Sequence, residues 1–148
     1  MSDLNKILSE APHLELDGME FRGAVIENAY LNSKLARGTI FTNITFNNVD
    51  LYSSHLVQSH FIGCKFKNVV FVKSDLSGCL ISCCEFTNCD FSRADIIGAQ
   101  LKNCQFANCD FSGVSFCNCD LEAVSFLNCT TDGSYIGENT EHQVIWKY

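Results

Sequence analysis

Large apolar residues return at every fifth position of this chain. The series runs Leu16, Phe21, Ile26, Leu31, Ala36, Phe41, Phe46, Leu51, continues through Phe66, Leu76, Phe86 and Ile96, and closes with Phe116, Leu121, Phe126, Thr131 and Ile136. Of these 25 positions 23 are large and apolar, with Ala36 and Thr131 the exceptions, so one register holds without an insertion. A second series lies two residues before each centre; from Ala24 to Cys129 it is Ala, Ser, Thr, Val or Cys in 20 of 22 cases, broken by Lys34 and Ile44. A third, two residues after each centre, is Gly or Asn in 17 of 25 cases, Gly63, Asn68, Gly98 and Asn103 among them.

A five-residue period excludes the two ordinary elements. An α-helix turns 100° per residue, so residues five apart would be smeared around its axis instead of forming an apolar stripe. In a flat strand, side chains alternate, and residues five apart would point to opposite faces, leaving half the Phe and Leu in water. The small and central positions, two apart, share one face of a short extended segment if the chain then turns a corner. Gly and Asn recur where a type II turn needs positive φ. Each group of five is thus one side of a polygon with two side chains pointing inward.

Cys89-Asp90-Phe91-Ser92-Arg93, Ala94-Asp95-Ile96-Ile97-Gly98, Cys109-Asp110-Phe111-Ser112-Gly113 and Cys119-Asp120-Leu121-Glu122-Ala123 resemble the repeat of the pentapeptide-repeat family: a small residue, Asp or Asn, Leu or Phe, then two variable positions. The resemblance covers residues 16–136. It implies an all-β fold, a right-handed quadrilateral β-helix with four repeats per coil, and therefore about six coils here. At a strand spacing of about 4.8 Å the rod is about 30 Å long. Central residues twenty apart then stack: Phe46, Phe66, Phe86, Phe106 and Phe126 in one column, Leu51, Phe71, Phe91 and Phe111 in the next.

The two ends depart from the repeat. A solenoid end exposes strand edges and apolar rings and needs a cap or a partner. Within an N-terminal cap of residues 1–15, Leu4, Ile7, Leu8 and Ala11 have helical spacing and Pro12 stops the run, which predicts a short capping helix. Residues 137–148 form a C-terminal cap or dimerisation segment in which Val144, Ile145, Trp146 and Tyr148 fold over the last coil or bury against a second copy; the family resemblance implies a homodimer through that end. Lys34, Leu35 and Ala36 violate both inward positions, and a bulge or distorted corner is expected there.

Composition narrows the setting. No run approaches the length of about 20 apolar residues that spans a membrane, and Met1-Ser2-Asp3-Leu4-Asn5-Lys6 lacks the pattern of a signal peptide, which predicts a cytoplasmic protein. A net charge of −7 argues against direct contact with nucleic acid or an anionic membrane. Of the ten cysteines, residues 64, 79, 84, 89, 104, 109, 119 and 129 fall on the small inward position, where a thiol packs as a compact hydrophobe. They line different walls, so they are expected to hold no metal and to remain reduced, with Cys64, Cys84 and Cys104 in one ladder and Cys89, Cys109 and Cys129 in another. Cys83 and Cys117 are expected to face outward and react.

His13, His55, His60 and His142 are scattered. Asp90 and Asp110 recur with the repeat as turn residues. No nucleophile elbow, phosphate-binding glycine loop or paired-carboxylate site is present, so neither catalysis nor a cofactor is expected.

Function is sought on the outside. Around one corner Ile40, His55, Val57, His60, Ile62, Leu80 and Ile97 are expected to project as a partly apolar patch, which suits contact with an as yet unidentified protein partner. On another edge Asp50, Asp90 and Asp110 make an acidic column interrupted by Val70. The resemblance also implies an alternative: some family members protect DNA gyrase from quinolones or toxins by mimicking duplex DNA. Against it, residues 39–131 carry eight acidic and five basic side chains, a net of −3, far below the charge density of B-DNA at one per about 1.7 Å. The unbroken register also has no projecting loops.

Overall fold

The computed structural model describes residues 4–11 and 13–148. Pro12, expected to stop the helix, and the first three residues of the N-terminal cap lie outside the described residues. Helix α1 (Leu4–Glu10) comes first. The strands are β1 (Glu20–Arg22), β2 (Val25–Tyr30), β3 (Ile40–Thr42), β4 (Thr45–Asp50), β5 (His60–Ile62), β6 (Lys65–Lys67), β7 (Leu80–Ser82) and β8 (Glu85–Thr87). They continue with β9 (Asp95–Ile97), β10 (Gln100–Ala107), β11 (Ser115–Cys117), β12 (Asp120–Leu127), β13 (Tyr135–Gly137), β14 (Thr140–His142) and β15 (Ile145–Lys147).

All strand pairs are parallel and join residues one coil apart: Phe21 with Phe41, Phe46 with Phe66, Phe106 with Phe126. Five residues carry the chain to the next wall and twenty bring it back, giving a four-sided β-solenoid of about six turns. Wall 1 runs from Leu16 through Leu56 to Ile136, wall 2 from Phe21 to Glu141, wall 3 from Ile26 to Trp146 and wall 4 from Leu31 to Thr131. Walls 2 and 3 form one 12-stranded sheet bent around a corner, and β9, β11 and β13 a 3-stranded sheet on wall 1. Wall 4 is joined by single bridges, Asp50 to Val70 to Asp90 to Asp110 to Thr130.

Every fifth residue from Gly18 to Gln143 has positive φ. Glycine and asparagine hold most of these corners, but Lys73, Arg93 and Ala123 adopt φ of 58°, 59° and 53° as well. Hydrogen bonds hold them there: Lys73 N donates to Ser92 O at 3.0 Å and Arg93 N to Ser112 O at 2.9 Å. The ladder therefore imposes left-handed corners even on residues that resist them by roughly 1–2 kcal/mol.

Inside, the aromatic rings stack one per coil. Along wall 3 the centroids of Phe46, Phe66, Phe86 and Phe106 lie 4.7, 4.4 and 4.5 Å apart; on wall 4, Phe71, Phe91 and Phe111 follow at 4.7 and 4.9 Å. The two columns meet edge to face, as Phe106 and Phe111 do at 5.5 Å, an arrangement that aromatic quadrupoles favour. The small inward positions do more than save space. Thr39 Oγ1 donates to Leu16 O at 2.7 Å, Ser54 Oγ to Leu31 O at 2.9 Å, Ser74 Oγ to Leu51 O at 2.6 Å and Cys79 Sγ to Leu56 O at 3.0 Å. Each satisfies a carbonyl of the coil below, so among the described residues no buried side-chain nitrogen or oxygen lacks a partner.

The bulge expected at Lys34 to Gly38 is absent. Leu35 bridges His55, Ala36 N donates to His55 O at 2.9 Å and Gly38 keeps φ at 60°. Lys34 and Ala36 exchange roles: a long side chain occupies the small site beside a small one at the centre, so the volume is kept and the backbone need not yield. Both are buried. A residual void of about 10 Å³ remains, lined by Leu8, Leu16, Ile26, Leu31, Lys34 and Ala36 among others. Burial also lowers the Lys34 pKa.

At the N-terminal end α1 buries Leu4 and Leu8 against the first coil, while Ile7 and Ala11 remain partly exposed. At the other end β14 and β15 extend the ladders on β12, so the coil geometry runs on past residue 136 through Lys147. The change at that boundary lies in the side chains: exposed Glu141 takes a central position, and Trp146 continues the wall 3 column over Phe126 at 3.8 Å.

Candidate functional site

The central side chains fill the tube from Leu16 to Phe126. Chemistry and recognition therefore fall to the outward positions, two on each wall segment and one or two at each corner.

The expected apolar patch spreads over walls 1 and 2. Ile40, His60 and Leu80 are direct ladder partners and make one continuous half-buried row on wall 2. Across the corner on wall 1 stand Val57 and Ile97, in the row that Ser77 shares: Gly38 N, Gln58 N and Gly78 N donate in turn to Val57 O, Ser77 O and Ile97 O. His55 and Ile62 lie at the outer margins, His55 bridging Asp75 on the far side of wall 1 and Ile62 on the far side of wall 2. Ile62 and Ile97 are the most open of the aliphatic members, at 40% and 38% exposure.

Wall 4 carries the acidic column. Asp50 Oδ1 accepts Tyr52 N at 2.9 Å, Asp90 Oδ1 accepts Ser92 N at 2.9 Å and Asp110 Oδ1 accepts Ser112 N at 2.8 Å; on wall 1 Asp75 does the same for Ser77 at 3.0 Å. The aspartate before each centre thus caps the N–H two residues on, which is why the repeat selects it. At Asp110 burial opposes the charge, but hydrogen bonds from Ser112, Thr130 and Ser92 outweigh it and hold the carboxyl below its ordinary pKa. Lys73 and Arg93 stand on the corner between these two acidic walls, with the Lys73 ammonium 5.7 Å from the Tyr52 ring centroid.

All ten thiols are free, and Cys83 is exposed. Cys117, expected outside and reactive, is buried. Its position on the ladder faces outward, between Ile97 and Gly137, and the Tyr135 hydroxyl stands 3.6 Å from where a Cβ on Gly137 would be. Burial pushes the Cys79 thiol up to about 12 and Cys104 and Cys119 to about 11. Among the described residues no three His, Cys, Asp or Glu gather into a metal-holding group, and no helix is long and apolar enough to cross a membrane.

Sequence reasoning passed over one corner feature. Asn28, Asn48 and Asn68 stack between walls 3 and 4, Asn48 Nδ2 donating to Asn28 Oδ1 at 3.2 Å and Asn68 Nδ2 to Asn48 Oδ1 at 3.1 Å. Asparagine at this corner in every coil up to Asn128 was the available signal. At the C-terminal end Val144 and Trp146 pack on the core, while Ile145 and Tyr148 are exposed at 57% and 76%.

The coil geometry agrees with an independent comparison: the family model described as pentapeptide repeats matches residues 45–82 and 84–122 in 8 copies. The chain belongs to the pentapeptide-repeat family. No curated protein matches this pentapeptide-repeat chain. Among solved structures, full-length QnrB1, described as a plasmid-mediated fluoroquinolone resistance protein, is 15% identical, with 86% of this chain and 93% of that one covered at a TM-score of 0.60. Rfr23, a pentapeptide repeat protein from the cyanobacterium Cyanothece 51142, is 16% identical over 96% of this chain and 97% of its own, with a TM-score of 0.45. At such identities the likeness to QnrB1 speaks for the fold alone, and that to Rfr23 carries no further argument.

Proposed function

We propose that this pentapeptide-repeat protein works without catalysis, as a cytoplasmic protein-interaction module that docks its partner on the corner between walls 1 and 2. The observation that carries this reading is the row Ile40, His60 and Leu80, flanked by Ile62 and by Val57 and Ile97 across the corner. Aliphatic side chains on a rigid sheet lose little entropy on binding, which makes a preformed contact surface effective. A pull-down compares wild type with an Ile62→Glu, Leu80→Glu variant: loss of a specific partner supports the site, and identical partner sets contradict it.

A second reading, a DNA-mimicking protector or modulator of DNA gyrase or topoisomerase, draws on the acidic column Asp50, Asp90 and Asp110 beside Asp75 and Asp95, and on the gyrase-protecting members that the repeat resembles. The purified protein at micromolar concentration tests it. Gyrase supercoiling and quinolone inhibition that stay unchanged exclude this reading and leave the corner module standing.

A further inference from the structure

The large hydrophobic side chains left exposed concentrate at the two ends of the rod: Met19, Val25 and Tyr30 in the first coil, Tyr135, Ile145 and Tyr148 in the last. Each end also carries a strand edge. At the C-terminal end β14 and β15 pair with β12 and with nothing beyond it among the described residues. At the N-terminal end the outer edge of β2 is occupied by a side chain: Asn5 Nδ2 donates to Val25 O at 2.5 Å and Asn5 Oδ1 accepts Glu27 N at 3.3 Å. In a parallel ladder a residue donates its N–H to the carbonyl of one residue and accepts from the N–H of the residue two further on, and it pairs with the residue between them. The Asn5 carboxamide therefore takes the place of the peptide group that would lie under Ile26 in a preceding coil. Only α1, seven residues long, holds it there, with Leu4 and Leu8 buried and the small void beneath Leu8.

We propose that α1 is a removable plug, and that its release lets the N-terminal edge of one copy stack on the C-terminal edge of another as a continuation of the same four-sided tube. With Trp146 of one copy in the place of Asn5, the pairing follows from the ladder register. Ile26 extends the wall 3 column above Trp146, Val25 meets Ile145, and Glu27 meets Lys147. On wall 1 Leu16 lies over Ile136. Two apolar pairs, one ion pair and a third apolar contact on the opposite wall match in a single register. Glu141 opposes them, because it would lie inward beneath Phe21, and its carboxylate keeps the contact reversible. The interface is head to tail, so each addition regenerates a free C-terminal edge and the assembly is open-ended. A symmetrical dimer through the C-terminal ends makes none of these pairings and involves no part of α1.

The test uses the full chain with Asn5→Ala and Leu8→Asp, followed by sedimentation velocity over a concentration series. The expected result is growth beyond a dimer, while wild type keeps a fixed mass. A zero-length carbodiimide reagent applied to a mixture of isotopically light and heavy copies should join Glu27 of one to Lys147 of the other, and Lys147→Glu should abolish both the cross-link and the growth. Because Leu8→Asp could unfold the first coil, Asn5→Ala alone, which removes only the edge contact, is examined by the same two readouts. Circular dichroism reports whether each variant keeps its β-structure. A folded release variant with the wild-type mass, or cross-links confined to pairs of C-terminal ends, overturns the proposal.

Discussion

The rings of Phe66 and Phe86, twenty residues apart, lie 4.4 Å apart and within 2° of parallel in the middle of the wall 3 column. Each also touches the wall 4 column, Phe86 meeting Phe91 edge to face at 5.5 Å. Phe86→Ala removes a ring flanked above, below and beside by others, and should lower stability by about 3–5 kcal/mol. Ile97→Ala, at an outward position, should cost less than about 1 kcal/mol. Urea denaturation of both variants checks the contrast, and equal losses would mean that the column is not the core.

Gly63, between walls 2 and 3, and Gly98, between walls 1 and 2, hold the same position of the five-residue repeat with φ of 63° and 67°, yet their surroundings differ. A Cβ at Gly98 would meet nothing within 4 Å, whereas one at Gly63 would collide with Asn43 Oδ1 of the coil below. Gly98→Ala should therefore cost only the left-handed conformation, about 1 kcal/mol, and Gly63→Ala somewhat more, because the Asn43 carboxamide must turn aside. Adding Asn43→Ala should bring Gly63→Ala down to the Gly98 value in a double-mutant cycle.

Thiol accessibility reports the architecture directly. The inward cysteines and Cys117 are buried, and Cys83 alone is open. A small alkylating reagent should add once to the native protein at neutral pH and ten times after denaturation, counted by mass spectrometry, since the chain has ten cysteines. Cys83→Ser should leave no fast-reacting thiol. Rapid labelling at Cys117 would contradict its burial.

The Asp110 carboxylate sits below its ordinary pKa of 3.8. A depressed folded-state pKa contributes stability that is complete above the unfolded value and is lost as pH falls through the folded one. Asp110→Asn should therefore destabilise the protein at neutral pH, and the gap to wild type should narrow as pH falls below 3.8. Urea midpoints measured across that range check it; a gap that stays constant with pH would assign the loss to packing instead of charge.

Much of this was legible in the chain because the tube has one rule per position. The centres, the small sites and the positive-φ corners each need a residue type that few others can replace, so they show as three series in one register. What stayed hidden depended on directions that the period does not encode. Ser, Thr and Cys at the inward site read as merely small, whereas Thr39, Ser54 and Ser74 are there to satisfy carbonyls one coil down. Lys34 and Ala36 break the rule at both inward positions of one coil, and only their burial side by side shows that the long side chain and the short one offset each other. Cys117 holds an outward position of the repeat, yet it is buried, which the period alone does not encode. The corner patch was legible as a set of outward positions, and the twenty-residue spacing of Ile40, His60 and Leu80 already made them one row; the ladder adds that His55 and Ile62 stand at its margins.

A coil of four walls is tested most directly by inter-ring proton contacts measured by nuclear magnetic resonance. Selectively labelled phenylalanine should give strong cross-peaks between Phe66 and Phe86 and between Phe86 and Phe106, the pairs at 4.4 and 4.5 Å. Phe66 and Phe106, two coils apart, should give none. Rings on different walls also meet across the tube, as Phe91 and Phe106 do at 5.8 Å and Phe116 and Phe126 at 5.9 Å, so contacts at separations of ten and fifteen are expected beside these; absence of the Phe66–Phe86 and Phe86–Phe106 cross-peaks would contradict both the fold and every surface described on it.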